Sequence, residues 1–263
     1  MDLGIAGRVA LVAASSKGLG RAVAEELAAE GTHLVMCARG QAALAEAVAS
    51  ADARGPGDVV GIVADLSDPA DVTGLVEAAM SRFGRVDILV NNAGGPPAGK
   101  FEDHDRGAWK AAVRLNLESA LDLTRAVLPG MKERGWGRVL NITSVAVKEP
   151  VDGLILSNSV RAAVTGFAKT LSNEVASFGI TVNNVLPGFT RTARLEELAA
   201  VHAEAGGISM EEVETGWNAA IPASRLGEPR EFAAVVAFLA SERASYVTGV
   251  SIAVDGGRTR ALQ

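Results

Sequence analysis

Short, unbroken apolar runs alternate with amphipathic stretches along nearly the whole of this 263-residue chain, and that alternation constrains the fold more than any other feature. RVALVAA (8–14), THLVMCA (32–38), DVVGIVAD (58–65), RVDILVNNAG (85–94), RVLNITS (138–144), ITVNNVLPG (180–188) and VSIAVDGG (250–257) read as strands. Between them the apolar spacing becomes helical. LGRAVAEELAAEG (19–31) is an amphipathic helix stopped by Gly31, and QAALAEAVASADA follows the second strand. A helix is expected from about Asp68 to Phe83, with Asp68 as N-cap and Pro69 in the first helical position. Helices are also expected over about 105–133 and over 154–176, where Val160, Val164, Phe167, Leu171 and Val175 share one face.

Continuous apolar strands joined by helices must be covered on both sides. The expected fold is therefore α/β, a Rossmann-type doubly wound, seven-stranded parallel sheet with helices on both faces. Ligands then bind outside the carboxyl ends of the strands. No linker, repeat or low-complexity tract divides the chain, so residues 1–263 are expected to form a single domain. One departure from regularity is 189–228, helical in parts and broken by Gly206-Gly207. It follows the carboxyl end of a strand, where a flap over a substrate is expected.

Hydrophobic residues make up 48% and charged ones 21%, enough for a full core. A net charge of −6 argues against a nucleic-acid partner or an anionic membrane surface. No basic segment followed by a long apolar run opens the chain, and no stretch reaches the roughly 20 apolar residues that cross a bilayer. A cytoplasmic protein is the expectation. The single cysteine, Cys37, excludes an internal disulfide, and three scattered histidines give no metal site.

ASSKGLG (14–20) joins the first strand to the first helix. Its Ser15, Ser16, Lys17, Gly18, Leu19 and Gly20 are candidates for a turn whose backbone N–H groups meet a pyrophosphate. An acid at the end of the second strand would favour NAD, but Cys37, Ala38 and Arg39 stand there and the next acid is Glu46. Lys17 and Arg39 together supply charge for a 2′-phosphate, so the expected cofactor is NADP(H).

These features, in order and at matching spacing from about residue 5 to 257, resemble the short-chain dehydrogenases/reductases, of the 3-oxoacyl-carrier-protein-reductase-like kind. The family's glycine motif is TGxxxGxG; here Ala13 and Ala14 replace its Thr and first Gly, while Gly18 and Gly20 remain. Asp65-Leu66 matches the turn that meets the adenine. Asn91-Asn92-Ala93-Gly94 matches the signature after the fourth strand, and Pro187-Gly188 with Thr192 the segment beside the nicotinamide amide. The resemblance implies a catalytic set of Asn, Ser, Tyr and Lys. Asn116 and Ser144 match the first two, but Ser157 and Arg161 stand where the tyrosine and lysine belong, and the one tyrosine is Tyr246.

A phenol lowered by a nearby ammonium can donate a proton; a serine hydroxyl is a far weaker acid, and an arginine keeps its proton. Arg161 can still bond ribose hydroxyls. The implied function is an NADP(H)-dependent oxidoreductase that interconverts a carbonyl and an alcohol with a non-standard proton donor. Its substrate would be a small carbonyl or alcohol or an acyl thioester. Lys148, His104 or a water held by Ser144, Ser157 and Asn116 are the substitute donors to consider. The alternative is a catalytically silent NADP(H)-binding sensor or partner protein. The resemblance further implies a homotetramer built through the helices at 105–133 and 154–178.

Overall fold

Strand β1 (Val9–Val12) lies inside the sheet, with β2 (His33–Ala38) and β3 (Val59–Val63) on one side of it. On the other side follow β4 (Ile88–Asn91), β5 (Gly137–Ile142), β6 (Ile180–Pro187) and β7 (Ser251–Val254). The computed structural model describes residues 1–262. Among them the sheet has seven strands in the order β3-β2-β1-β4-β5-β6-β7, all pairs parallel, as expected. The chain reverses its direction of travel between β1 and β4, which opens a crevice at their carboxyl ends.

Alternation along each strand sorts the core into two layers. Ala10, Val12, Leu34, Met36, Ile88, Val90 and Leu140 face one side. There they meet α1 (Gly18–Ala29), α2 (Gln41–Asp52) and α9 (Pro229–Ala240) through Val23, Leu27, Leu44 and Phe232. Leu11, Val35, Leu89 and Val139 face the other side, against α3 (Pro69–Phe83), α5 (Ser119–Arg134) and α6 (Ile155–Val175). Helix α9 packs on α1 and was not foreseen from sequence. The signal was nonetheless present: Phe232, Val236 and Leu239 recur at helical spacing, and Pro229 with the Glu228–Glu231 capping box marks the start.

The expected start of α3 is present: the Asp68 carboxylate accepts from the Ala70 N–H at 2.8 Å, with Pro69 next in line. The stretch 105–133 proves to be two helices, α4 (Arg106–Val113) and α5, joined by a π-helical turn over Arg114–Glu118. Asn116 therefore sits on a local bulge rather than in a regular helix.

A polar row crosses the carboxyl half of the sheet. The register sets Asn91 beside Asn141, Asn141 beside Asn184, and Asn184 beside Ser251. Each amide donates to the next residue: Asn91 Nδ2 to Asn141 Oδ1 at 2.9 Å, Asn141 Nδ2 to Asn184 Oδ1 at 3.0 Å, and Asn184 Nδ2 to Ser251 Oγ at 3.1 Å. Buried amides are tolerated here because each finds the next strand's partner.

Between β6 and α9 stand α7 (Ala193–Gly206) and α8 (Met210–Ala220). The break at Gly206-Gly207 falls where expected, with Gly207 capping α7. The two ends of this segment are stitched together: Arg191 N–H donates to Gly227 O at 2.9 Å and Gly227 N–H to Phe189 O at 3.0 Å. Phe189, Leu195, Trp217, Ile221 and Leu226 give it a small core of its own.

Candidate active site

A cavity of about 610 Å³ runs along the carboxyl ends of the strands. At one end the turn from β1 into α1 provides its floor. Lys17 is the exposed N-cap of α1, Gly18 follows at φ +58°, and the first turn of α1 carries no acid. This leaves the positive end of the helix free for an anion. Gly20 is buried beneath the turn: a Cβ there would collide with the Ala14 carbonyl oxygen and the Asn92 amide. Ala14 itself is held at φ +48°, a left-handed conformation costly for a residue with a Cβ. Its carbonyl and that of Ala13 both accept from Asn92 Nδ2 at 3.2 Å, which ties the NNAG segment to the turn.

Ser16, Lys17, Gly18 and Leu19 line the cavity, as do Arg39, Asp65 and Leu66 at its outer end. Ser15 does not. It is fully buried, and its hydroxyl donates to Cys37 O at 3.4 Å and accepts from Cys37 N–H at 3.1 Å, so it splints β1 to β2. Gly20 likewise lies under the site rather than in it. The Asp65 carboxyl is held below its usual range by hydrogen bonds from Ser67, and Arg39 adds to the effect from nearby.

Toward the other end the wall includes Asn92, Ala93 and Gly94 after β4, Ser144 after β5, Ser157 and Arg161 on α6, Pro187 at the end of β6, and Gly188 and Thr192 after it. Ser144 starts a short 3-10 turn, its hydroxyl accepting from Ala146 N–H at 3.1 Å. Thr192 caps α7, accepting from Leu195 N–H at 3.3 Å. Arg161 reaches under the cleft and donates to the carbonyls of Ile142 (3.0 Å), Thr143 (2.9 Å) and Ala93 (3.5 Å). Burial first, and the nearby Arg194 second, bring its guanidinium down to about 10. It therefore remains a cation at neutral pH.

Asn116 opens elsewhere. Together with Asn91, Asn141, Thr143 and Arg161 it lines a separate pocket of about 20 Å³. The Oδ1 atoms of Asn91 and Asn116 and the Oγ1 of Thr143 have no partner there, a setting suited to a single water. The expected water held jointly by Ser144, Ser157 and Asn116 is thus corrected: the two serines line the large cavity, Asn116 the small pocket, and Arg161 both. Lys148, His104 and the exposed Tyr246 also line neither.

Sequence reasoning singled out none of Phe189, Arg194, Leu198 and Arg258, all of which line the cavity, although the first three lie in the segment expected to cover a substrate. Arg194 spans the cleft, donating from Nη2 to Pro96 O at 3.1 Å while pairing with Glu197 at 3.2 Å. It stands two residues past Thr192 and was legible by position. Arg258 was not, because only the folding of the chain after β7 brings it over the Phe189 ring, at 4.6 Å.

The family model described as enoyl-(acyl carrier protein) reductase matches residues 13–259. The chain belongs to the short-chain dehydrogenase/reductase family. It is 37% identical over 251 residues to the 3-oxoacyl-(acyl-carrier-protein) reductase of Escherichia coli, covering 95% of this chain and 97% of that one. The L-sorbose reductase of Gluconobacter frateurii, solved with NADPH and L-sorbose, superposes with a TM-score of 0.94 at 34% identity over the whole of both chains. An actinorhodin polyketide ketoreductase solved with NADPH gives a TM-score of 0.93 at 34% identity, covering 97% of this chain and 98% of that one. Family membership accounts for the two ends of the cavity, glycine turn and Ser144, lying along one crevice. Among the described residues, no helix is long and apolar enough to cross a membrane, and no cluster of His, Cys, Asp and Glu could hold a metal.

Proposed function

We propose that this chain is an NADP(H)-dependent oxidoreductase of 3-oxoacyl-reductase type, interconverting a carbonyl and an alcohol without the family's usual acid. The observation that carries the reading is a single cavity whose outer end holds Lys17 and Arg39, with no acid at the end of β2, and whose inner end holds Ser144. The residues suit the cofactor: the free N-terminus of α1 faces the pyrophosphate position, and two exposed cations flank the place of a 2′-phosphate. The NADPH complexes of the sorbose reductase and the polyketide ketoreductase support it. When bound, the nicotinamide supplies or takes the hydride.

The chain's own residues then have defined work. Ser144 Oγ–H donates to the substrate oxygen and steadies the charge that develops on it. Arg161, fixed by three carbonyls, contributes positive charge below the same point and holds its proton. Ser157, one helical turn before Arg161, faces the cavity and positions a water that delivers the proton. Cavity walls without tyrosine or histidine, and with Lys17 as their one lysine, support this assignment. General acid assistance is worth about 10² to 10⁴ in rate, so the reaction is slowed by its absence rather than abolished.

Equilibrium binding and turnover test the proposal together. NADPH is expected to bind more tightly than NADH by about 2–4 kcal/mol, the worth of a pair of charge-assisted contacts. The Lys17→Ala, Arg39→Ala variant should lose that preference. Equal affinity for the two cofactors would refute the assignment, and NADPH binding without turnover of any ketone, quinone or acyl thioester would leave a silent binding protein instead.

A further inference from the structure

We propose that the inner end of the cavity is a carboxylate-binding subsite, formed by Arg194 and Arg258 with Arg161 beneath, and that the carbonyl substrate carries an acidic group. This rests on the reading of the site as a carbonyl reductase.

The whole chain is acidic, with a net charge of −6, yet five cationic side chains and one acid line the cavity. Lys17, Arg39 and that acid, Asp65, belong to its outer end. Three guanidiniums and no carboxylate remain at the inner end. They come from three separate elements: α6, the start of α7 and the loop after β7. None of the three has a carboxylate partner in the cavity. Arg161 is satisfied by carbonyls alone. Arg194 is latched to Pro96 O, and its one acid, Glu197, lies on the exposed side of α7, outside the cavity lining. Arg258 rests on Phe189, which stacks on Trp217 at 4.7 Å, and its guanidinium has no hydrogen bond or ion pair among the described residues. Arg161 and Arg258, both partly buried, thus lack a counter-ion, and the exposed Arg194 has one only outside the cavity, so a ligand's negative charge would be the first to meet them from within. The planar fork of arginine matches a carboxylate in two parallel hydrogen bonds.

The cofactor's pyrophosphate is the other anion within reach of this wall, and the experiment separates the two sources. Acetoacetate and 2-oxobutyrate are compared with their methyl esters in chloride-free buffer. Their binding to the NADP⁺-saturated protein is followed by calorimetry, and kcat/KM with NADPH is measured in parallel. The acids are expected to bind at least tenfold more tightly than the esters. In Arg194→Gln and Arg258→Gln the acid-to-ester ratio should fall toward one, in binding and in kcat/KM alike. NADPH affinity of each variant is measured alongside. Equal binding of acid and ester by the parent overturns the proposal, as does failure of both to bind. A ratio that survives the substitutions, or a loss confined to NADPH affinity, also overturns it, the latter by assigning the guanidiniums to the pyrophosphate. Acid binding without any turnover supports the subsite while refuting the reductase.

Discussion

Ser157 and Arg161 lie one turn apart on α6 and both line the cavity, so whatever chemistry occurs there proceeds in their presence. Arg161 is fastened by three backbone carbonyls and cannot relay a proton. Ser157→Tyr alone is therefore expected to help little. Ser157→Tyr with Arg161→Lys restores both an acid and a mobile ammonium, and should raise NADPH-dependent ketone reduction by more than the product of the two single effects. Groups that act as one unit show such coupling. Steady-state kinetics of parent, singles and double, each with NADPH affinity measured, decides it. A folded, NADPH-binding double variant with no gain would show that the pair does not occupy the catalytic positions.

At the scale of elements, the Asn91–Asn141–Asn184–Ser251 row joins four adjacent strands just below the cavity. Asn141→Ala removes the middle of the row and leaves Asn184 Oδ1 without its donor. An unsatisfied buried partner plus two lost bonds should cost about 2–4 kcal/mol, read from urea denaturation. A loss below about 1 kcal/mol would mean that the row is incidental to stability. The segment α7–α8 contrasts with this. It depends on its own five-residue core, on the stitch between Phe189, Arg191 and Gly227, and on the Arg194 latch to Pro96. Few contacts with the main core predict fast local opening. Hydrogen exchange of α7 and α8 should be the fastest among the helices of the free protein and should slow when NADPH is added. Uniform protection before addition would count against a flap.

For the molecule as a whole, α4 and α6 carry a satellite apolar cluster apart from the two main layers. Ala112, Leu156 and Val160 are buried, but Trp109, Leu117 and Ile155 are only partly covered, and Phe101 is 69% exposed. Beside them α6 presents Ala162, Ala163 and Gly166 to solvent, a flat surface on which another helix can pack closely. The homotetramer that the family resemblance implies would use this face. Light scattering is expected to give about four times the 27.0 kDa chain mass. Gly166→Arg should lower that value, and a monomeric parent at micromolar concentration would refute it.

What the sequence alone decided is what short-range chemistry decides. Strand and helix types follow from periodicity, the start of α3 from Asp68-Pro69, and the glycine turn from residues that permit its conformation. Seven parallel strands follow because continuous apolar runs can be covered only on both faces. Lys17, Arg39, Ser144, Ser157 and Arg161 were legible because each lies at a fixed offset from the end of a strand or along a helix. Other features depend on distant segments meeting. Ser15 reads as a cofactor ligand until β2 closes over it and its hydroxyl turns to Cys37. Asn116 reads as a member of the main cavity until the π turn sets it in a separate small pocket that Arg161 also lines. The amide row, whose members lie dozens of residues apart, could not be placed without strand order and register. Arg194 and Arg258 belong to one site only because the segment after β6 and the loop after β7 fold over the same crevice. That no acid stands beside them on the cavity wall is likewise a property of the folded crevice, since Glu197, the partner of Arg194, points outside it.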